Sequence, residues 1–593
     1  MILRLVPTVT RHQLPFRAAD FATLSEALDY AAQGATGANF YSGRGQLQAR
    51  LSYRTLRRDA LTLARKLLAL GLNKGDRVAL IAETDPHFLR FFYACQYAGL
   101  VPVPLPASVK LGAHTPYVAQ LRGLLGASHA AIAVASTGYL PYLEEAGAGL
   151  GLRLIAAPEA FYELPVADDL ELPAPDPDAT AYIQYTSGST RFPRGVVIPQ
   201  RTAMANLAGI VRHGVKLVPG DRCLSWLPFY HDMGLVGFVL VPVAAQTSVD
   251  YLDTRDFAMR PRQWLKLMSE SKATVSFAPP FGYDLCARRL VAGEAARYDL
   301  RHWRVAGVGA EMIRPEILDA FAEALAPAGF DRRAFLACYG MAECTLGISF
   351  SPLYRGFRST LVDTETLYDQ QRVVALDDTR AGTTRGRDFV NCGIPLPGYE
   401  VQIRDEDGQA LDEYQTGVIH LRGPSVMAGY FEMPEETRAV LDADGWLNTG
   451  DIGYLAEGSL TITGRQKDLI IIRGRNIWPQ DIEHIAETQP EVRSGGAVAF
   501  AAPDAEGDDT CVLLVECRET QPERRAELSA RLAQLVQREL ALECRVELVP
   551  MHHLPRTSSG KLSRARARQL FLDGQQDDAQ RAAGGDQIAV NSA

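Results

Sequence analysis

Between Leu56 and Pro104 the apolar residues switch period three times, a pattern that alternating helices and strands accommodate. Leu56, Ala60, Leu63, Leu67 and Leu70 recur at the three- and four-residue steps of one helix face, and Gly71 stops the run. Lys74-Gly75-Asp76 then turns the chain into Val78-Ala79-Leu80-Ile81, a short apolar run of strand type. A second helical run from His87 to Tyr97 ends at Gly99, ahead of Val101-Pro102-Val103-Pro104. This alternation predicts an α/β fold with buried sheets. It continues to about Gly450, with no repeat of solenoid period.

A chain of 593 residues is too long for one ordinary core, so at least two domains are expected. Beyond Asp468 the pattern restarts as a smaller unit. Val512-Leu513-Leu514-Val515 reads as a strand, and Pro522 opens a helix with Leu528, Leu532, Leu535 and Val536 on one face. We therefore expect a main domain over 1–464, a hinge near 464–468 and a small α+β C-terminal domain over 465–572. Residues 351–388 interrupt the main domain. They are polar, rich in Arg, Asp and Thr, hold only short strand-like runs such as Arg372-Val373-Val374-Ala375-Leu376, and read as an insertion between compact elements. Residues 573–593, rich in Gln, Asp, Gly and Ala, are expected to be disordered.

The formal net charge of −9 argues against broad nucleic-acid binding, which needs a basic face, although net charge does not describe local patches. Nine scattered cysteines with no CxxC pair give no disulfide framework and are expected to be reduced thiols. The first residues lack the sustained apolar region of a signal peptide. The most apolar later stretch, Gly234 to Ala245, is too short to span a bilayer and reads as a buried segment. The protein is therefore expected in the cytoplasm, with no transmembrane segment.

The densest chemical signal is Tyr185-Thr186-Ser187-Gly188-Ser189-Thr190-Arg191-Phe192-Pro193-Arg194-Gly195, after the strand-like Ala181-Tyr182-Ile183-Gln184. Hydroxyl side chains around a glycine can wrap polyphosphate with hydroxyl and backbone N–H donors. Gly188 permits close backbone approach, and Arg191 and Arg194 supply positive charge. Taken alone, the run also fits a Ser/Thr-rich surface loop, and it is not a Walker loop, because GxxxxGK[ST] is absent. Four further stretches follow: Tyr339-Gly340-Met341-Ala342-Glu343, Thr449-Gly450-Asp451, Gly464-Arg465-Gln466-Lys467-Asp468 and Pro555-Arg556-Thr557-Ser558-Ser559-Gly560-Lys561. Each suits an adenine nucleotide: Tyr339 can stack on a base, Glu343 can hold Mg²⁺, and Asp451 can accept from both ribose hydroxyls. Lys561, on a glycine-containing turn, can reach both an attacking carboxylate and the α-phosphate.

These five motifs, in this order, resemble the acyl-adenylate-forming superfamily of acyl-CoA synthetases, luciferases and peptide-synthetase adenylation domains, over about Leu51 to Arg566. Within it the chain is most similar to the fatty acyl-AMP ligases, through the stretches Ser225 to Leu235, Pro280 to Cys286 and Gly309-Ala310-Glu311, and through the insertion. Fifty residues separate Glu343 from Gly393, more than the coenzyme A ligases place there. The resemblance implies a large N-terminal domain of several sheets flanked by helices and a small mobile C-terminal domain turning about Lys467. It implies ATP and Mg²⁺ as cofactors, a fatty acid as substrate, and an acyl carrier protein, or a carrier domain of a polyketide or peptide synthase, as acceptor.

Residue by residue, the resemblance assigns Thr186, Ser187, Gly188, Ser189 and Thr190 to the β- and γ-phosphates. Gly309, Ala310 and Glu311 with Tyr339, Gly340, Met341 and Ala342 would line the adenine pocket. Glu343 would hold Mg²⁺, Asp451 and Arg465 the ribose, and Lys561 would orient the reactants. His231 and Asp232 would lie near the reacting carboxylate, with Tyr283 and Asp284 on the pocket wall. Arg191 replaces a usual glycine and Arg194 a usual lysine, which keeps the positive charge but can change loop geometry. Ala342 replaces a common threonine, a change the fatty acyl-AMP ligases share.

Simpler roles suit other residues. Cys338 and Cys344 flank Glu343 without an activating base and read as packing. His552-His553 lacks further ligands at metal-site spacing. Arg564-Ala565-Arg566-Ala567-Arg568 reads as a solvated helix face, with contact to an acidic carrier protein as the alternative. Three other functions compete with a carrier-loading ligase: an acyl-CoA synthetase, an amino-acid adenylating enzyme, and a silent binding module, which would not require Lys561.

Overall fold

In the computed structural model of the chain, Ser52 accepts the Thr55 N–H and caps the helix Tyr53–Ala69, whose Leu56, Ala60, Leu63 and Leu67 are buried as their spacing predicts. The structure describes residues 14–107, 114–167, 169–186, 193–376, 386–472, 475–493, 495–504, 509–556 and 562–574. The helix Pro86–Ala98 closes on Gly99 in the left-handed region (φ 65°), a conformation glycine adopts without strain. Around it the strands Val101–Leu105, Arg77–Ile81, Ala130–Val134 and Leu154–Ala156 form a parallel sheet in that order.

The largest sheet has nine strands, in the order Ile394–Pro395, Gly347–Phe350, Phe335–Gly340, Val305–Val308, Val275–Ala278, Arg222–Ser225, Ser248–Leu252, Gly37–Tyr41 and Leu47–Ser52. A three-stranded sheet contains Thr180–Tyr185, Gly195–Pro199 and Gly429–Tyr430. An antiparallel sheet of Glu400–Arg404, Gly417–Arg422, Leu447–Ala456 and Ser459–Arg465 completes the main part. The apolar stretch from Gly234 to Ala245 is a run of short helical turns, almost wholly buried. Among the described residues no helix is long and apolar enough to cross a membrane.

After the 3-10 turn Gln466–Asp468 a second unit begins, with its own core. It holds the hairpin Ile470–Ile472 and Arg475–Ile477, the helix Pro479–Glu487, and a sheet of Ala497–Pro503, Asp509–Glu516 and Cys544–Val549. The helix Pro522–Leu540 buries Leu528, Leu532 and Val536, while Leu535 is only half-buried at the edge of that face. A last helix runs over 564–574, so it includes Asp573, and 575–593 lie outside the described residues.

The insertion is more ordered than its composition suggests. Ser359–Asp363 pairs antiparallel with Gly386–Val390, and Asp363 caps the helix Thr364–Gln370. Val362, Leu367 and Phe389 form a small core of their own. Arg372 and Ala375 make only isolated bridges, so the run from Arg372 to Leu376 is not a strand. All nine cysteines are free.

Candidate active site

Four neighbouring parallel strands, Arg222–Ser225, Val275–Ala278, Val305–Val308 and Phe335–Gly340, end on one edge of the large sheet. Ligands of open α/β sheets bind beyond the C-terminal strand ends. The C-terminal ends of these four strands and the chain leaving them carry His231 and Asp232, Tyr283 and Asp284, Gly309 to Glu311, and Tyr339 to Glu343. Their backbones approach closely. A Cβ on Gly309 would lie 2.7 Å from the Cys338 carbonyl oxygen, and one on Gly340 would lie 1.9 Å from that of Leu346. Ala310 takes a left-handed φ of 69° between Gly309 and Glu311.

Antiparallel register sets Asp451 opposite Arg465. The Arg465 Nε lies 3.0 Å from Asp451 Oδ1, and Tyr339 Oη donates to Asp451 Oδ2 at 2.7 Å. Burial, reinforced by Asp451, pushes the Tyr339 hydroxyl well above its ordinary range, so it stays a donor. Asp451 is buried, whereas the Arg465 side chain is 66% exposed. That pair contributes at most about 1 kcal/mol, and its main effect is to orient the carboxylate.

Glu343 sits on the 3-10 turn Ala342–Cys344, where its Oε1 accepts from Tyr430 Oη at 2.9 Å. Burial raises its carboxyl pKa and the nearby Asp232 adds to this, while Tyr430 and Arg465 oppose it. Tyr430 is a site residue that the sequence reading missed. It lies in the two-residue strand Gly429–Tyr430, and the one local signal was the preceding glycine, held at φ 145°. The Arg194 guanidinium lies over the Tyr430 ring, 5.0 Å from its centroid, which connects the end of the phosphate-loop motif to Glu343. Among the described residues no group of three His, Cys, Asp or Glu could hold a metal ion. A lone carboxylate suits Mg²⁺ that arrives with a nucleotide, since Mg²⁺ keeps waters and takes most other ligands from phosphate.

His231 Nδ1 lies 2.6 Å from Asp232 Oδ1, with both side chains mostly buried. A proton shared in this contact leaves Nε2 to face other partners. Buried Gln184 donates to the Tyr230 carbonyl at 3.3 Å and so anchors the segment just before His231. Tyr283 is placed differently from the wall position expected. Its ring is fully buried against Trp264, Phe321 and Phe335, and its hydroxyl donates to the Gly307 carbonyl at 2.7 Å. It supports the site from behind. Asp284 accepts from Arg288 at 2.8 Å, one helical turn on.

The Thr186 N–H donates to the Arg194 carbonyl at 3.0 Å and closes the base of the phosphate-loop motif. Ser187, Gly188, Ser189 and Thr190, with Arg191 and Phe192, lie outside the described residues, as does Lys561. The residues flanking the Lys561 segment are described: Arg556 bridges antiparallel to Leu562, and the Arg556 charge is influenced by Glu311 of the main domain. Arg564 is not solvated, as the arginine-rich run suggested. It is largely buried between Asp468 and Glu483, whereas Arg566 and Arg568 are exposed.

The AMP-binding enzyme family matches residues 29–431, and the AMP-binding enzyme C-terminal domain matches 474–567. A relative from Caulobacter vibrioides, which carries acyl-CoA synthetase as a provisional name, is 46% identical over 98% of this chain and 100% of its own. A medium-chain-fatty-acid–[acyl-carrier-protein] ligase of Moorena producens is 30% identical, covering 94% of this chain and 96% of its own. A structure from work on fatty acyl-adenylate ligases of E. coli and L. pneumophila superposes with a TM-score of 0.91 at 49% identity, covering 95% of this chain and 100% of that one.

Proposed function

The chain belongs to the AMP-binding enzyme family, and we propose that it joins a medium- or long-chain fatty acid to AMP, releases pyrophosphate, and passes the acyl group to the phosphopantetheine of a carrier protein. The observation that carries the adenylation reading is the Tyr339–Asp451 hydrogen bond beside the buried Glu343, whose carboxyl is influenced both by Asp232, the partner of His231, and by Arg465, the partner of Asp451. The similarity to fatty acyl-adenylate ligases and to a fatty-acid ligase of Moorena producens supports the choice of acid.

A carboxylate is a poor electrophile, and its attack on the α-phosphate of ATP sets negative charge against negative charge. Mg²⁺ bound with ATP neutralises part of that charge. Glu343 would hold the metal, and Asp451, fixed by Tyr339 and Arg465, would accept from the ribose hydroxyls. The 186–190 segment would donate to the β- and γ-phosphates, Gly309 to Ala342 would border the adenine, and Lys561 would bring a cation to the reacting oxygens. His231, braced by Asp232, would turn its Nε2 toward the acid. No enzyme nucleophile is needed. Burial holds the Cys338 and Cys344 thiols well above their ordinary pKa, which keeps them protonated and unreactive.

For the acceptor, the insertion supports a carrier protein. Tyr368 donates to Asp481 of the small unit, and Arg387 pairs with the same carboxylate at 2.6 Å. A small domain so held would seldom turn about Lys467 to admit coenzyme A. The second reading, an acyl-CoA synthetase, is favoured by the provisional name of the Caulobacter relative. One experiment separates them: ATP, Mg²⁺ and acids of graded length are supplied with either coenzyme A or a phosphopantetheinylated carrier protein, and the products are identified. Acyl-AMP and acyl-carrier products are expected; rapid acyl-CoA formation would favour the second reading, and turnover with amino acids alone would reject both.

A further inference from the structure

The sheet of the small unit aligns two cysteines. Asp509–Glu516 and Cys544–Val549 run parallel, and the first residue pair of their register is Cys511 opposite Cys544. Adjacent strands hold such partners about 4.8 Å apart, inside the roughly 4.4–6.8 Å between Cα atoms that a disulfide spans. The side chains turn toward each other, with the two Sγ atoms 3.3 Å apart. Cys511 is wholly buried in the core that also takes Leu528, Leu532 and Val536, whereas Cys544 is half-buried at its edge. The two lie 33 positions apart in sequence, and the segment between them holds the helix Pro522–Leu540.

We propose that Cys511 and Cys544 form a modification site for hydrogen peroxide, which joins them in a reversible disulfide and staples the helix Pro522–Leu540 into the small unit. Cys544 is the sulfur that peroxide reaches. Its thiolate attacks one peroxide oxygen, the O–O bond breaks and water leaves, so the sulfur is oxidised to a sulfenic acid and the peroxide is reduced. Cys511 then attacks the Cys544 sulfur, the S–O bond breaks, and hydroxide departs with the Cys511 proton as a second water. Two thiols and one peroxide thus give one disulfide and two waters. Side-chain torsion and a small strand shift take the sulfurs from 3.3 Å to the bonded length of about 2.05 Å. The order of events follows from the pair itself. The hydrogen bond with Cys544 pushes the Cys511 thiol up, and burial and the Cys544 charge add to this. Both Cys544 contributions need a thiolate there and end once that sulfur is a sulfenic acid, so Cys511 becomes reactive after its partner is oxidised.

The test exposes the full chain to hydrogen peroxide and maps its peptides by mass spectrometry without reduction. A Cys511–Cys544 cross-link lighter by two hydrogens, and lost again on treatment with dithiothreitol, is expected. Cys338, whose thiol burial keeps protonated, should stay unmodified and serves as the internal reference. Cys511→Ala removes the attacking thiol, so Cys544 should then be trapped by dimedone as its sulfenic acid in place of the cross-link. Amide exchange within Pro522–Leu540 should slow at least about tenfold in the oxidised protein, because closing a loop of this length restricts the unfolded chain. Cys544→Ser should show neither the cross-link nor the slowing. Cys544 carried to sulfinic acid without a cross-link, or left untouched, would overturn the proposal. A cross-link with unchanged exchange would overturn the stapling. Should Cys511→Ala fail to fold, the wild-type chain and Cys544→Ser still decide the matter.

Discussion

Arg387 of the insertion lies 2.6 Å from Asp481 of the small unit, and both side chains are less than a fifth exposed. Tyr368, from the insertion's helix, donates to the other oxygen of the same carboxylate. The insertion therefore touches the small unit directly, at the first turn of the helix Pro479–Glu487, where a helix N-terminus also favours negative charge.

Removing one partner of such a pair leaves a desolvated carboxylate behind, at a cost of about 3 kcal/mol. A bias of that size separates two conformations about a hundredfold in population. Arg387→Ala is expected to raise acyl-CoA formation at least about tenfold while acyl-AMP formation stays within about twofold. Chromatographic quantification of both products checks this. Unchanged acyl-CoA output would mean that the insertion does not govern access of coenzyme A.

Tyr430→Phe deletes the hydroxyl that stabilises the Glu343 carboxylate. Burial already raises that carboxyl, and losing its donor raises it further. Glu343 must be ionised to hold a metal, so the variant should lose activity at low pH first. The acid limb of the pyrophosphate-release profile should move up by about one pH unit, the equivalent of a hydrogen bond to charge worth about 1.4 kcal/mol. A limb that stays put or moves down would separate Glu343 from the titration.

Asp451→Asn keeps the size of the side chain but replaces one acceptor oxygen with an amide donor. Nucleotide binding should weaken, with the KM for ATP up about 10- to 100-fold, as for a buried polar contact worth about 1–3 kcal/mol. Tyr339→Phe removes only the orienting hydroxyl and should cost less. Isothermal titration with ATP checks the order, and a larger loss from Tyr339→Phe would invert the roles given to the two residues.

Gly340→Ala tests the backbone approach. A Cβ there would lie 1.9 Å from the Leu346 carbonyl oxygen, which cannot yield as a flexible side chain can. The variant should lose about 3 kcal/mol or more of stability, measured by denaturant unfolding. Gly408→Ala is a milder control: a Cβ there meets open space, although its φ of 79° adds some strain.

The helix over Tyr53–Ala69, the strands after it and the separate small unit were legible because their apolar periods are long and uninterrupted. The juxtaposition of Tyr339, Asp451 and Arg465 was legible from motifs that lie at or just after strand ends. Tyr283 was not, because motif membership says nothing about which way a side chain on the helix Pro280–Arg289 points. Tyr430 escaped because two residues of strand carry no period. Arg564 looked solvated because its partners Glu483 and Asp468 are 81 and 96 residues away in sequence. The insertion's length and polarity were visible, but its hairpin and its grip on Asp481 depend on pairings across a gap that composition cannot reveal.

One short helix, Pro479–Glu487, carries three carboxylates held by arginines of three origins: Asp481 by Arg387, Glu483 by Arg564, and Glu487 by Arg314 at 2.7 Å. Turning the small unit about Lys467 would part the first and third together, while the second travels with it. Both vacated partners must then be met by water and dissolved ions, so added electrolyte eases the turn. The same electrolyte weakens the attraction between cationic side chains and the phosphates of ATP. With such a turn in the cycle, these opposing trends would give turnover an optimum in ionic strength, lower when nucleotide binding limits the cycle and higher when the domain turn does.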